Sequence, residues 1–176
     1  SRFQVPTSHP FDLLASVGRD CIGAIQLYPE GDQLLPVNQI SATPLSDGDI
    51  ASLLQGYQSA PLGMAENDDF RISLAGAQEK TALLWHQGQW QKPTGSTPTS
   101  HIFKLPIGFL EHSNIDLRKS SENEWLCLRI LAAFGLPVAN AELATFGDQT
   151  VLIVKRFDRR WASDQSWLMR LPQEDF

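Results

Sequence analysis

Three features of the sequence have the residue types that a site for phosphate groups requires. Lys104 stands in a short apolar segment, Glu124 follows 20 positions later, and residues 75–80 combine small and polar side chains. A lysine supplies positive charge to phosphate oxygens, and a carboxylate can hold a long, flexible ammonium in place. A loop that contains glycine lets backbone N–H groups approach phosphates closely. The three features predict a site for nucleotide phosphates, provided that the fold brings them together.

Each feature also has a purely structural interpretation. A lysine in a short strand is commonly a surface residue, and Glu124 is the third residue after Ser121 in a capping-box pattern that opens a helix. The segment 75–77 has one glycine, whereas the familiar kinase loop G-x-G-x-x-G has three. The basic stretch 155–160, with four Lys or Arg in six residues, is either a solvated turn or the neighbour of an anion. The residue types alone leave these alternatives open.

The elements from residue 70 onward follow the order of a protein-kinase N-lobe. Alternating and β-branched runs predict strands, a turn at Gln87-Gly88 and another at Gly147-Asp148 predict hairpins, and Gly135 ends a helix. We therefore predict an α+β fold, with an antiparallel sheet of about five strands, one main helix, and residues 151–154 as the central strand. The predicted strands are 70–74, 80–85, 89–92, 101–105, 141–146 and 150–157, and the helix begins at Ser121.

Residues 1–69 predict a small α/β segment in front of this lobe. Small and β-branched residues at 21–28 indicate a strand, residues 29–46 a loop, and Ser46-Asp47-Gly48-Asp49 the start of a helix. We thus divide the chain into an N-terminal segment, 1–69, and a kinase-like N-lobe with its hinge, 70–176.

Composition excludes several classes of protein. Among 176 residues with a formal net charge of −6, positions 20–70 hold eight acidic residues and no Lys or Arg, which disfavours direct binding of nucleic acid by that segment. No apolar run approaches the roughly 18 residues of a membrane span. The four histidines and two cysteines lack zinc-ligand spacing. Cys21 and Cys127 are expected to be buried thiols in a reducing cytoplasm.

Longer stretches of sequence resemble the HipA family of bacterial toxin kinases. The resemblance is carried by 11–24 (Phe-Asp-Leu-Leu to Gly-Ala), 70–84 (Phe-Arg-Ile-Ser-Leu-Ala-Gly-Ala-Gln-Glu-Lys-Thr-Ala-Leu-Leu), 99–106, 121–124, 156–161 and 170–175. It implies a phosphate-binding loop, an ATP-contacting lysine steadied by a helix carboxylate, and a hinge whose backbone meets adenine. The residues that match these roles are Ala75, Gly76, Ala77, Gln78, Glu79 and Lys80 for the loop, Lys104 and Glu124 for the pair, and Lys155, Arg156 and Phe157 for the hinge.

The resemblance also implies an activity and its regulation. Members are ATP- and Mg²⁺-dependent Ser/Thr protein kinases that pair with a HipB-like helix-turn-helix antitoxin and bind DNA through it; glutamyl-tRNA synthetase is the best-known substrate. Ser73 matches the serine that these kinases phosphorylate on themselves. Lys155 stands where the family usually has Glu, so a carboxylate role at that position is lost.

The family's Asp-Gly-His-x-x-Asn-like catalytic loop does not occur in these 176 residues. We therefore expect a central fragment, without the C-lobe and the extreme N-terminal subdomain, that has no phosphotransferase activity by itself. The competing interpretation is a non-catalytic kinase-like module that docks an antitoxin or a second subunit.

Overall fold

The fold is built on one antiparallel sheet with a helix on each face. The structure, a computed structural model, describes residues 18–59 and 78–174. Within them, six strands form one sheet, and every neighbouring pair is antiparallel. Their order across the sheet is Ala42–Pro44, Gln89–Pro93, Lys80–His86, His101–Lys104, Gln149–Lys155 and Ala141–Phe146. This confirms the predicted α+β fold, with six strands rather than about five. The helices are α1 (Asp47–Ser59) and α2 (Ser120–Ala133); the strands are β1 (Ala42–Pro44), β2 (Lys80–His86), β3 (Gln89–Pro93), β4 (His101–Lys104), β5 (Gly108–Leu110), β6 (Ile115–Leu117), β7 (Ala141–Phe146), β8 (Gln149–Lys155), β9 (Arg159–Trp161) and β10 (Leu168–Arg170).

Both predicted hairpin turns are present. Gln87 and Gly88 join β2 to β3 with positive φ angles of 52° and 77°, as a two-residue turn between twisted strands requires. Gly147, at φ 61°, begins the turn from β7 to β8, and a Cβ atom there would stand 3.2 Å from the Cβ of Ala51 in α1. Glycine is therefore needed at residue 147 for its backbone conformation and for the close approach of the helix.

The two faces of the sheet have different tasks. Ile50 and Leu54 of α1 pack on one face against Phe103, Val151 and Ile153, and all five are buried. Because side chains alternate along a strand, the neighbours of Phe103 in β4 lie on the opposite face. Helix α2 packs against β7 and β8. The first face is the hydrophobic core, and the second face carries the candidate site.

The described parts of the N-terminal segment, 1–69, and of the kinase-like N-lobe, 70–176, contribute to the same sheet and the same core. Strand β1 pairs with β3, and α1 supplies Ile50 and Leu54 to the core cluster. The division of the chain at residue 70 stays a prediction.

Several local predictions were wrong. Residues 21–28 form no strand, because Gly23 has a φ of 70° and the Leu27 N–H bonds to the Gly18 carbonyl at 2.8 Å within an irregular loop. Strand β1 lies within the predicted loop 29–46. Residues 151–154 lie in β8, which is flanked by β4 and β7 and is therefore internal but not central. The hairpins β5–β6 and β9–β10 were not predicted.

Helix α2 exposes part of its apolar surface. Cys127 is exposed, so the prediction of two buried thiols was wrong for this residue, whereas Cys21 is half-buried. Leu126 and Ile130, one turn apart, are also about half exposed, because only one side of α2 rests on the sheet. Neither described helix has the length and apolar content needed to span a bilayer.

Candidate functional site

A cleft of about 560 Å³ opens between the sheet, α2 and the chain that follows β8. Apolar side chains from three elements, Ile102 of β4, Val154 of β8 and Val138 after α2, form much of its wall. Six of the predicted site residues line this one cleft: Lys80, Lys104, Glu124, Lys155, Arg156 and Phe157.

Lys104 and Glu124 form an ion pair in the cleft. The Lys104 Nζ lies 2.6 Å from both carboxylate oxygens of Glu124. The two side chains are 23% and 36% exposed, so the pair is accessible from the cleft but shielded from bulk solvent on most sides. A bidentate contact of this kind restricts the ammonium to one position.

The same contacts explain why the capping-box interpretation was wrong. Helix α2 begins at Ser120 with Lys119 as its N-cap, and no side chain caps it. The Ser121 hydroxyl donates instead to the Lys104 carbonyl at 3.3 Å, and the Glu124 carboxylate accepts a hydrogen bond from the Lys104 ammonium. Both side chains therefore join α2 to β4 rather than to the first turn of the helix.

A second ammonium stands beside the pair. Lys80 of β2 is the register partner of Lys104 in β4, so both side chains project from the same face. Burial, and then repulsion from Lys104, lower the pKa of Lys80. Lys80 and Lys104 thus place two ammonium groups on one face of the sheet, with the carboxylates of Glu124 and Glu79 nearby. Ammonium groups in this position can bind the oxygens of an anionic ligand.

The predicted phosphate loop is described only in part. Ser73 and Ala75 to Ala77 lie outside the described residues. The Gln78 Nε2 donates to the Leu105 carbonyl at 2.7 Å, and the Leu105 N–H donates to the Glu79 carbonyl at 3.0 Å. The end of the loop is thus tied to the chain directly after Lys104, and Lys80 follows it into the cleft.

Two of the three backbone N–H groups in the hinge segment, residues 155–157, donate hydrogen bonds to carbonyl groups of the protein. The Lys155 N–H donates to the Asn140 carbonyl at 2.9 Å, and the Arg156 N–H to the Ser100 carbonyl at 3.0 Å. The Phe157 N–H makes no hydrogen bond within residues 18–59 and 78–174, although Phe157 lines the cleft. Its ring is 77% exposed. Phe157 therefore offers a backbone donor to a ligand.

A buried cluster of charges, which was not predicted from the sequence, includes Arg156 of the hinge segment. This charge cluster consists of Asp20, Arg156, Asp158, Arg159 and Arg170, whose side chains are at most 7% exposed. Asp20 binds Arg156 at 3.2 Å and Arg159 at 2.9 Å, and Asp158 binds Arg156 at 2.8 Å and Arg159 at 2.9 Å.

These contacts correct the interpretation of the basic stretch for two of its four basic residues. Arg156 and Arg159 are buried and pair with Asp20 and Asp158 of the protein itself, whereas Lys155 and Arg160 are exposed. Burial would raise the pKa of Asp158, but hydrogen bonds and attraction from Arg156 lower it overall. Each buried ion costs several kcal/mol of desolvation, which its ion pairs and hydrogen bonds offset. The pairing is not complete, because the Nε atoms of Arg159 and Arg170 are buried without a partner among the described residues. Asp20 is 136 residues from Arg156, and no local pattern in the sequence links these two residues.

Metal binding finds no support within the described part of the chain. No three His, Cys, Asp or Glu side chains of residues 18–59 and 78–174 come together in a way that could hold a metal ion.

The comparison with known families agrees with this geometry. The sequence model of the HipA-like C-terminal domain matches residues 72–176. This chain belongs to that family. It is 34% identical over 175 residues to the putative kinase Y4mE of Sinorhizobium fredii, a match that covers 98% of this chain and 40% of that protein. It is 28% identical over 156 residues to the serine/threonine-protein kinase toxin HipA of Shewanella oneidensis, covering 89% of this chain and 33% of the toxin.

A solved structure shows the same fold. HipA of Shewanella oneidensis, in a complex with HipB and its operator DNA, matches with a TM-score of 0.64 and 26% identity, over 94% of this chain and 36% of that chain. The chain therefore spans well under half of the length of these relatives. The match starts before residue 72, so the likeness extends beyond the family segment to most of residues 1–71.

Proposed function

We propose that this chain carries the nucleotide-binding lobe of an ATP-dependent Ser/Thr protein kinase. The observation that carries the proposal is the Lys104–Glu124 pair, which stands in the same cleft as Lys80 and the Phe157 amide. A lysine held by a helix carboxylate is the device with which kinases place positive charge against nucleotide phosphates.

The cleft fits a nucleotide in its charge and in its walls. Adenine would lie between the apolar side chains near the hinge segment, with the Phe157 N–H donating to a ring nitrogen. The triphosphate would then extend toward Lys104 and Lys80, where the positive charge is concentrated. The resemblance places the ligands for Mg²⁺ and the catalytic aspartate beyond residue 176, so we propose the metal and the phosphotransfer step for the full-length protein.

The direct test is ATP binding by the full-length protein, measured by displacement of a fluorescent ATP analogue. Lys104→Met should weaken ATP binding by about ten-fold or more, because one charge-assisted hydrogen bond to a phosphate is lost. Lys119→Met is the matched control, since Lys119 forms a surface ion pair with Glu122 of α2, the helix that also carries Glu124. Failure of the wild-type protein to bind ATP, or equal effects of the two variants, would contradict the proposal.

We further propose that phosphorylation of Ser73 switches the kinase off. A phosphate would add roughly −1.5 to −2 charge seven residues before Lys80, next to a site suited to the anions of ATP. We expect the phosphorylated form to bind ATP more weakly. Mass spectrometry of the full-length kinase would locate the phosphate, and equal ATP affinity of the two forms would refute the switch.

The proposed biological setting is a toxin–antitoxin pair. The Shewanella structure contains HipB and operator DNA, and by analogy we propose a HipB-like antitoxin as the partner of the full-length protein. DNA would be bound through the antitoxin, and glutamyl-tRNA synthetase is a candidate substrate. Expression of the full-length protein should arrest growth, and co-expression of the neighbouring antitoxin should relieve the arrest.

One observation favours the alternative of a non-catalytic docking module. Leu126, Ile130 and Phe134 follow each other at intervals of one turn on α2, and all three are exposed. If the chain serves only to dock an antitoxin, Leu126→Glu with Ile130→Glu should abolish antitoxin binding, and the wild-type protein should bind no ATP. Binding of ATP by the wild-type protein would exclude this alternative.

A further inference from the structure

The charge cluster has two members from outside the hinge region, Asp20 and Arg170. Asp158, Arg159 and Arg156 lie within four residues of each other, so their contacts are largely local. Asp20 belongs to a loop that is 136 residues before Arg156. The contacts of Asp20 are therefore the ones that fix the relative position of separate segments.

Asp20 joins the two strands that border the cleft. Its Oδ2 accepts hydrogen bonds from the Thr99 N–H at 3.0 Å and from the Thr99 hydroxyl at 2.5 Å, two residues before β4 begins. The same carboxylate binds Arg156, which directly follows β8. Strand β4 carries Lys104, and β8 leads into the hinge segment, so one buried carboxylate ties the start of the first to the end of the second.

The loop that carries Asp20 also closes one side of the cleft. The Cys21 carbonyl accepts from Arg156 at 3.0 Å and from Arg159 at 2.8 Å, and the Gly23 N–H donates to Asp158 at 2.8 Å. Ile22, between these two anchored residues, lines the cleft. The cluster thus holds the loop against the hinge segment and keeps an apolar side chain in the wall.

Stability alone does not account for this charge cluster. Buried ion clusters commonly add little net stability, because desolvation offsets most of the attraction between their charges. The cluster fixes the orientation of its side chains, because charge-assisted hydrogen bonds accept only narrow ranges of distance and angle. The guanidinium groups of Arg156 and Arg159 are both held by Asp20, and Phe157 lies between these two residues in the sequence.

We propose that Asp20 is a positioning residue for nucleotide recognition, which acts through Arg156 and Thr99 to hold the hinge segment and the Phe157 amide in place for the base. This inference rests on the proposed ATP site. Asp20 touches neither the phosphates nor the reacting atoms, so its loss affects recognition of the base and leaves the Lys104–Glu124 pair intact.

The test compares Asp20→Asn with the wild-type full-length protein, using ATP, adenosine and inorganic tripolyphosphate as separate probes. Asp20→Asn should weaken adenosine and ATP by the same factor, about ten-fold, because re-ordering even one hinge residue upon binding costs roughly that much. Tripolyphosphate binding should stay unchanged. If phosphotransfer is measured, KM for ATP should rise while kcat changes little.

Two further variants separate positioning from damage to the fold. Thr99→Val removes the hydroxyl contacts with Asp20 and with Arg156 while the side chain keeps nearly the same volume, and it should show the same selective loss of adenosine binding if Asp20→Asn does not fold. Asp32→Asn is the matched control, because Asp32 pairs with Arg19 near the surface, and it should bind all three probes normally.

The outcomes are distinguishable. Equal losses for adenosine and tripolyphosphate, or unchanged adenosine affinity in both Asp20→Asn and Thr99→Val, would overturn the positioning role while leaving the ATP site standing. Absence of nucleotide binding by the wild-type protein would overturn the proposed function itself, and this inference with it. A selective loss of adenosine binding in folded Asp20→Asn or Thr99→Val, with normal Asp32→Asn, supports it.

Discussion

Replacing Glu124 by Gln tests whether the ion pair serves ligand binding or the fold. Glutamine keeps the size of the side chain and one acceptor oxygen but removes the charge that faces Lys104. Both carboxylate oxygens lie 2.6 Å from the ammonium, a distance at which two unit charges attract by about 1.6 kcal/mol in water and by about 6 kcal/mol at an effective dielectric constant of 20.

The net contribution to stability must be much smaller than the upper figure. The pair is partly exposed, so the solvent screens it, and holding two long side chains costs entropy; comparable pairs contribute about 1 kcal/mol or less. Glu124→Gln should therefore lower the free energy of unfolding by about 1 kcal/mol. The effect on ATP should be larger in proportion, because an ammonium without a fixed position loses much of a charge-assisted bond to phosphate, and we expect about a ten-fold weaker affinity.

Two measurements decide the question. Urea unfolding of the chain gives the change in stability, and displacement of a fluorescent ATP analogue from the full-length protein gives the change in affinity. Glu122→Gln is the matched control, since Glu122 is on the same helix and pairs with the well-exposed Lys119. A variant that keeps full ATP affinity while losing stability would show that the pair belongs to the fold alone and would refute the reasoning.

The remaining predictions concern stability and reactivity of the chain itself. Burial, and then the charge of Lys155, lower the pKa of His101 from 6.5 to about 4, so the ring is neutral when folded and the unfolded state takes up the proton first as the pH falls. The contribution of neutral His101 to stability is present above pH 6.5 and is lost as the pH falls toward 4. Allowing for solvent screening, we expect urea titrations to give about 1 kcal/mol less stability at pH 5 than at pH 7. The variant His101→Gln should lack this part of the pH dependence. Phe103 is fully buried, so Phe103→Ala should lower the free energy of unfolding by about 3–5 kcal/mol, and a loss below about 1 kcal/mol would contradict its place in the core. Iodoacetamide should modify the exposed Cys127 faster than Cys21, whose pKa is raised mainly by burial. Mass spectrometry of the partly alkylated chain would show which cysteine reacts first, and faster modification of Cys21 would contradict the prediction.

The parts of the fold that were predictable depend on local rules. Gln87-Gly88 and Gly147 can take positive φ angles cheaply, so their turns and the flanking strands were visible in the sequence. Gly135 ends the helical pattern that begins near Ser121, and α2 ends at Ala133. The short hairpins β5–β6 and β9–β10 have three residues in each strand, too few to establish an alternation.

Two errors have different physical causes, and in the first of them side chains with a local use bind a distant residue instead. Ser121 and Glu124 have the spacing of a capping box, yet both bind Lys104 in another element. The apolar run 151–154 indicated a strand covered on both faces, which any internal strand satisfies, so the pattern could not give its place in the sheet.

The charge cluster shows how far a family resemblance reaches. The resemblance placed Arg156 and Phe157 at the hinge, but it gave the arginine a role through its backbone only. The structure gives its side chain a second role, because the guanidinium binds Asp20 and Asp158 and the backbone N–H bonds to the Ser100 carbonyl. A residue held at both its backbone and its side chain cannot move without shifting its neighbour, so the position of the Phe157 amide depends on a carboxylate that lies outside the family segment 72–176. The proposed recognition of the base would therefore depend on the loop that carries Asp20 together with the lobe.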